Sequence, residues 1–308
     1  MPRPDPPLID VYLLHWHAPE WCARAAASVL ESSGVRVRCF VIDNGSSGGI
    51  ALEKAVDPRV QVVPTARNIG YTGAANVALT RAFAAHPRAE FVVVAAHDLQ
   101  VRPDTFAELS KVARADPSIG ILGPVLTAPA QNAGGSWRGW RAKPTSSWDE
   151  STTFNEREWV SGTLLFIRPE CVAQIGGLDE RLGSYVEDVD ICLRARDAGW
   201  RVGVATAARA AGLGSASKNV TVLVDVNSVM LAVKRRGLHA SLGILARYAY
   251  WIARGVVASA MPRRSRERRR ASLAHARDHA RAIGRIARAW RQFRAIASET
   301  DAGVPRLG

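Results

Sequence analysis

Over its first 125 residues the chain alternates short apolar runs with helix-like segments, and each polar cluster falls where an apolar run ends. This alternation constrains the fold more than any other feature. A strand buried on both faces reads as an unbroken apolar run, and strands separated by helices are joined by crossovers into a parallel sheet. The runs are residues 8–15, 37–42, 60–63, 90–95 and 119–125. Helices are expected over 19–33, with Pro near the start and Gly34 after the end, over 74–85, and from Arg102-Pro103-Asp104 onward.

The ends of the runs carry the candidate chemistry. The second leads into Asp43-Asn44-Gly45-Ser46, the third into Arg67-Asn68-Ile69-Gly70-Tyr71-Thr72-Gly73, and the fourth into Ala96-His97-Asp98-Leu99. Open α/β sheets bind ligands at the carboxyl ends of their strands. Glycines at a loop–helix junction let backbone N–H groups approach a phosphate or sugar. Asn-Gly is also an ordinary turn dipeptide, so these clusters taken singly are compatible with plain turns. No G-x-G-x-x-G fingerprint and no G-x-x-x-x-G-K-[ST] loop occurs. The first half therefore reads as a nucleotide-binding α/β unit that is neither a dinucleotide fold nor a P-loop.

Residues 176–200, GGLDERLGSYVEDVDICLRARDAGW, hold three carboxylates in four positions: Glu187, Asp188 and Asp190. They precede an apolar helical run that stops at Asp197-Ala198-Gly199. Acids at a helix N-terminus can serve only as caps. A carboxylate at a loop–helix junction can also be a general base if it reaches a substrate hydroxyl. Gly183-Ser184-Tyr185 is expected to be a mobile loop that admits a ligand. Residues 127–158 show no period and contain Trp137, Trp140 and Trp148, so a long functional loop is expected there.

Gly176-Gly177-Leu178-Asp179-Glu180, Tyr185-Val186-Glu187-Asp188-Val189-Asp190, Arg194 and Ala198-Gly199-Trp200 together resemble the "ED" region of family 2 glycosyltransferases. The similarity is to the bacterial rhamnosyltransferase-like branch and extends over about residues 8–215. It implies an α/β GT-A fold, with a mostly parallel central sheet flanked by helices, and an inverting sugar transfer. It implies Asp188 as catalytic base beside Glu187, and Asp43, Asn44, Asn68, Gly70 and Asp98 around a nucleotide-diphosphate sugar. Asp98 is the implied metal residue for Mg²⁺ or Mn²⁺, and Trp159 and Gly162 are implied at the acceptor. Rhamnose from dTDP-rhamnose is the donor this branch suggests, with a glycan or lipid-linked acceptor. Two positions depart from the family. Ala96 stands where the metal turn usually begins with Asp or Asn, and residues 207–217 lack the His often found there. These departures keep open a second reading, a catalytically inactive GT-A binding protein anchored by its tail.

The net charge of +13 is unevenly placed. Lys234 to Arg294 holds 17 Lys or Arg against Glu267 and Asp278, a net +15, which leaves −2 for the remainder. A domain boundary near residue 230 follows, giving a transferase domain over 1–230 and a basic amphipathic helical extension over 231–308. Ile283, Ile286, Trp290, Phe293 and Ala297 share one helical face, opposite Arg277, Arg281, Arg285 and Arg288. Such a helix can lie on an anionic membrane, pack on the body or bind nucleic acid; the neutral body argues against nucleic acid. The expected contact with an anionic membrane is through residues 263–297. Residues 238–261 are too interrupted by charge for a transmembrane span. Cys22, Cys39, Cys171 and Cys192 lie in apolar runs without metal-ligand spacing, so buried thiols are expected. Pro and Asp replace an apolar core in MPRPDPPLID, which predicts no signal peptide and a cytoplasmic, membrane-peripheral protein.

Overall fold

A computed structural model of the chain describes residues 5–47, 49–127, 132–139, 141–212, 220–261, 265–298 and 303–307. The described residues divide into two compact units. One comprises Met1–Trp137, Lys143–Ser215 and Val304–Gly308, the other Arg138–Ala142 and Ala216–Gly303.

The first unit is a three-layer α/β structure. Its strands are β1 (Leu8–His15), β2 (Arg36–Asp43), β3 (Gln61–Pro64), β4 (Phe91–Ala96), β5 (Leu99–Val101), β6 (Ile119–Leu126), β7 (Gly135–Trp137), β8 (Ala142–Pro144), β9 (Phe154–Glu156), β10 (Leu164–Ile167) and β11 (Arg201–Gly212). Its helices are α1 (Pro19–Leu30), α2 (Gly49–Ala55), α3 (Gly70–Ala84), α4 (Thr105–Ala115), α5 (Pro169–Ile175) and α6 (Glu187–Asp197), with a single 3₁₀ turn at Glu180–Leu182. The main sheet runs β3-β2-β1-β4-β10-β6-β11-β5, and β9 pairs with β11. Strands β3, β2, β1 and β4 are mutually parallel. Strand β10 then enters antiparallel between β4 and β6, and β11 runs parallel to β6.

The apolar runs become strands because both faces of the sheet are covered. Ile9, Val11, Leu13, Phe91, Val93, Leu164 and Phe166 form one buried cluster with Ala25, Ala26 and Val29 of α1 and with Phe106 and Leu109 of α4. Helix α3 packs on β1, β2 and β4, while α5 and α6 pack on β6. Each large apolar side chain buried this way contributes about 1.5–3 kcal/mol before chain entropy is counted. The four cysteines are free and buried, as expected.

The structure differs from the sequence-based expectations at several elements. Helix α3 starts at Gly70, four residues earlier than the alanine run suggests, because Tyr71 and Thr72 donate their N–H groups to Ser184 and Gly183 across the sheet edge. Residues 127–158 are not one structureless loop: three short strands lie within them. Trp140 and residues 128–131 lie outside the described residues. The 12-residue strand β11 was not expected at all, because its Ala- and Gly-rich sequence carries little strand propensity. It forms because β6 and β9 supply hydrogen-bonding partners on both sides.

The second unit is helical: α7 (Val220–Arg236), α8 (His239–Ala260), α9 (Arg266–Arg288) and α10 (Trp290–Ser298). Helix α7 passes unbroken through residue 230, where the charge step suggested a boundary, and the structural division falls at Ser215/Ala216. Among the described residues no helix is long and apolar enough to cross a membrane.

Candidate active site

The carboxyl ends of β1, β2 and β4 lie side by side, with His15 opposite Asp43 and Leu14 opposite Ala96. This register brings three separate sequence clusters to one edge. His15 is buried; its Nδ1 lies 3.1 Å from Asp43 Oδ1, and its Nε2 accepts the Ala18 N–H at 3.0 Å. The imidazole thus holds the Asp43 carboxylate in place. Burial lowers the His15 pKa and keeps the ring neutral, against the opposing pull of Asp43. His97 donates from Nδ1 to the Leu14 carbonyl at 3.0 Å.

Asn44 ties the second cluster to the first. Its Oδ1 accepts the Ile69 N–H at 2.9 Å, and its Nδ2 donates to the Gly70 carbonyl at 3.0 Å and more weakly to Asn68 Oδ1 at 3.4 Å. Asn68 Oδ1 also accepts the Gly70 N–H at 2.9 Å. Two glycines are required by this crossing. Gly45 has φ of +70°, and a Cβ there would stand 2.3 Å from the backbone of Arg67 and Asn68. Gly70 has φ of +77°, and its Cβ would meet the Gly183 carbonyl at 2.9 Å.

The acidic stretch arrives from the other side. Asn76 on α3 bridges to the Gly177-Leu178 turn through Leu178 N–H and C=O at 2.8 and 2.9 Å. Arg194 pairs with Asp190 at 2.9 Å and donates to the carbonyls of Ile175 and Gly177, fastening α6 to the same turn. Gly183 and Ser184, expected to be a mobile loop, accept hydrogen bonds from Thr72 and Tyr71 at 2.9 and 3.2 Å. The chain then enters α6 through Tyr185 and Val186, both at positive φ, 72° and 73°. A β-branched residue in that region is strained by about 1–3 kcal/mol, a cost typical of functional junctions.

At the start of α6, Asp188 is half-buried. Its Oδ2 accepts the Gly162 N–H at 2.8 Å and its Oδ1 accepts the Val189 N–H at 2.8 Å. Glu187 beside it is 6% exposed, and its Oε2 has no hydrogen-bond partner. Burial, and then the Asp188 charge, push the Glu187 pKa well up. Burial also raises Asp188, but the Gly162 and Val189 N–H groups favour its charged form. Within this coupled pair the two backbone donors therefore favour charge on Asp188, while Glu187, buried with an unpaired Oε2, is pushed toward its neutral form.

Tyr71, which the sequence reading passed over within its own motif, sits at the centre. Its hydroxyl donates to the Gly162 carbonyl at 2.6 Å. Burial and the charges of Glu187, Asp188 and Asp98 all raise its pKa well above the ordinary value, so the phenol stays neutral. Asp98, 7% exposed, lies in the turn after β4, and the Ala96 N–H donates to the Thr163 carbonyl at 3.1 Å. The Asp98 turn and the Gly162 segment are thus held together. The site hence gathers Asp43, Asn44, Asn68, Gly70, Asp98, Gly162, Glu187 and Asp188 at one sheet edge. Trp159 is different. Its indole is 5% exposed, packs on Gly135 and donates from Nε1 to the Ser136 carbonyl at 3.2 Å. Its ring supports the segment leading to Gly162 and offers no open stacking face. Part of the stretch lacking a His, residues 213–217, lies outside the described residues.

Among the described residues no three His, Cys, Asp or Glu side chains group as a self-sufficient cation site. Mg²⁺-like cations commonly take only one or two protein carboxylates and complete their shell with phosphate oxygens and water. A single buried Asp98 at the ligand edge fits that mode.

Comparison with known proteins bears on the family and the fold. The family model described as "Glycosyltransferase like family 2" matches residues 6–242. The N-acetylglucosaminyl-diphospho-decaprenol L-rhamnosyltransferase of Mycobacterium tuberculosis is 32% identical over an alignment of 205 positions, with coverage of 58% of this chain and 66% of that protein. The chain thus matches slightly less than two-thirds of that relative's length. The mannosyltransferase PcManGT of Pyrobaculum calidifontis, solved with GDP-Man and Mn²⁺, superposes with a TM-score of 0.58 at 19% identity, covering 96% of this chain and 87% of that one. GalNAc-T7, solved with UDP, GalNAc and Mn²⁺, gives 0.59 at 15% identity, covering 89% and 55%. The fold is that of GT-A transferases, and with the family match over residues 6–242 the chain belongs to glycosyltransferase family 2.

Proposed function

We propose that the protein is an inverting rhamnosyltransferase-like enzyme that moves a sugar from a nucleotide-diphosphate donor to a lipid-linked acceptor at the cytoplasmic face of a membrane. The observation that carries this reading is Asp188. Its carboxyl is oriented by two backbone N–H groups that favour the charged form, beside a buried Glu187 whose Oε2 is unpaired, at the edge that holds Asp43, Asn44 and Asp98. A base so held can take the acceptor hydroxyl proton as the oxygen attacks the anomeric carbon, and one in-line displacement inverts that centre. Asp43, Asn44, Asn68 and Gly70 form the proposed cradle for the nucleotide and its sugar. Gly162, backed by Trp159, presents the acceptor side. Asp98 would hold a divalent cation, which when bound neutralises the charge of the leaving diphosphate. The lipid-linked acceptor and the rhamnosyl donor are supported by the name of the mycobacterial relative. The dense charge of residues 263–297 supports attraction to an anionic membrane surface.

Calorimetric titration with UDP, dTDP and GDP, each with and without Mn²⁺, tests the donor side. Metal-enhanced binding of dTDP alone is the expected result. Asp188→Asn should keep that binding and lose sugar transfer by about 10²- to 10⁴-fold. Ala96, at a position where the family usually supplies a further metal-turn residue, favours a second reading as a non-catalytic nucleotide-sugar binder. Nucleotide binding by the wild type with neither transfer nor donor hydrolysis would select it.

A further inference from the structure

The helical unit was expected to meet the membrane through the apolar face of its basic helices. In the structure that face is largely turned inward. Ile286 and Phe293 are buried, Ile283, Trp290 and Ala297 are half-buried, and α9 packs against α7 and α8 while α10 packs against α7. Helix α8 behaves in the opposite way. Ser241, Ile244, Tyr248, Gly255 and Ala258 turn inward, and at Gly255 the helix approaches Ala276 of α9 so closely that a Cβ would stand 2.8 Å from it. The other side of α8 is apolar and uncovered. Leu242 is 67% exposed, Tyr250 58%, Val256 50% and Val257 58%. At 100° per residue these fall on one face together with Ala246, Ala249 and Ala253.

We infer that this face of α8 is the protein's membrane-docking surface, and that it lies in the headgroup region of an anionic bilayer. Three observations choose lipid over another occupant. Residues 238–261 contain no acid, and the exposed Arg247 and Arg254 border the apolar stripe on one side. The half-buried Trp251 lies between them, its ring 6.0 Å from the Arg247 guanidinium and 5.1 Å from that of Arg254. An apolar stripe edged by an aromatic, here the exposed Tyr250, with arginines beyond it is the pattern of a helix lying in a membrane interface. The helix is also not apolar enough to span, as is true of every helix among the described residues. Finally, the surrounding 17 Lys or Arg against two acids supply long-range attraction to anionic lipid, and a protein partner of matching breadth would have to be strongly acidic.

The inference rests on the membrane-peripheral part of the proposed function and names the surface that performs it. The test is flotation of the full chain with phosphatidylcholine vesicles, with and without phosphatidylglycerol. Wild type is expected to float only with the anionic vesicles. Val256→Glu/Val257→Glu should lower apparent vesicle affinity at least tenfold with helix content unchanged by circular dichroism. Leu242→Ser/Tyr250→Ser, a milder pair, covers the case in which the first variant misfolds. Wild-type flotation that both variants retain would overturn the α8 assignment and leave membrane association to the arginines. No flotation of wild type would overturn the assignment together with the peripheral reading. A dimer that the variants convert to monomer, with vesicle binding unchanged, would make the face a contact between two copies and also overturn it. Nucleotide titration, read separately in each variant, keeps the transferase reading independent of these outcomes.

Discussion

Asp188 and Glu187 are neighbours in opposite surroundings, and the cause is local. Two N–H donors compensate the charge of Asp188, whereas Glu187 Oε2 is buried with none. Two pH effects follow. The proposed transfer needs Asp188 ionised, and burial raises its pKa, so the acidic limb of kcat/KM should lie above the ordinary Asp range. A limb at or below pH 4, the region of an unperturbed Asp, would contradict this. The second effect concerns stability. The folded pKa of Glu187 is raised, so its contribution is fully present below the unfolded Glu pKa and is lost as pH rises through the folded value. Glu187→Gln cannot ionise and escapes that loss. Its melting temperature relative to wild type should therefore climb as pH increases, read by thermal denaturation across a pH series. Tyr71 and Ser184 show how much a motif reading can miss. Their residue types carry no catalytic signal, and their importance comes from partners more than 90 positions away.

At the scale of elements, the site is a junction of loops. The turn after β2 is held by the loop before α3, and α3 in turn by the turn that precedes α6. Asn44 is the first of these ties and is nearly buried. Asn44→Ala would leave the Ile69 N–H and Gly70 carbonyl without their partner, at a cost of about 1–3 kcal/mol. Chemical denaturation should read that loss, and dTDP titration should show weakened binding in the same variant. The helical unit has its own tie. His279 on α9 is buried, its Nδ1 2.5 Å from Asp225 Oδ2 on α7, and it stacks on Tyr248 of α8 with centroids 5.1 Å apart. His279→Ala strands a buried carboxylate and should destabilise the unit by about 3–5 kcal/mol. Asp225→Ala/His279→Ala should recover part of that loss in the same melt, because no charge is then left unpaired.

For the whole molecule, charge and chemistry are segregated. The acids proposed to act on sugar and nucleotide belong to a unit that is near neutral overall, while the arginines are concentrated in a separate helical unit. Exposed charges interact over about 8–10 Å at physiological salt, and buried ones are screened far less. Binding to anionic vesicles should therefore fall steeply as salt is raised, while melting of the Asp225–His279 contact changes little. Equal salt sensitivity of both would mean that the arginines act within the fold and not on a surface.

The sequence by itself determined the alternation of strands and helices, the placement of polar clusters at strand ends, and the acidic start of α6. These are local patterns, set by the period of apolar residues and by the residue types that stop them. Only the tertiary structure decided which elements lie beside which. Strand β11 exists because its neighbours pair with it, Trp159 is a support because Gly135 leaves room for its ring, and Tyr71 matters because Gly162 lies across from its hydroxyl. The helical unit shows the same division. A hydrophobic period says that a helix has an apolar face, but not which neighbour covers it. In this fold α9 and α10 find partners for that face and α8 does not.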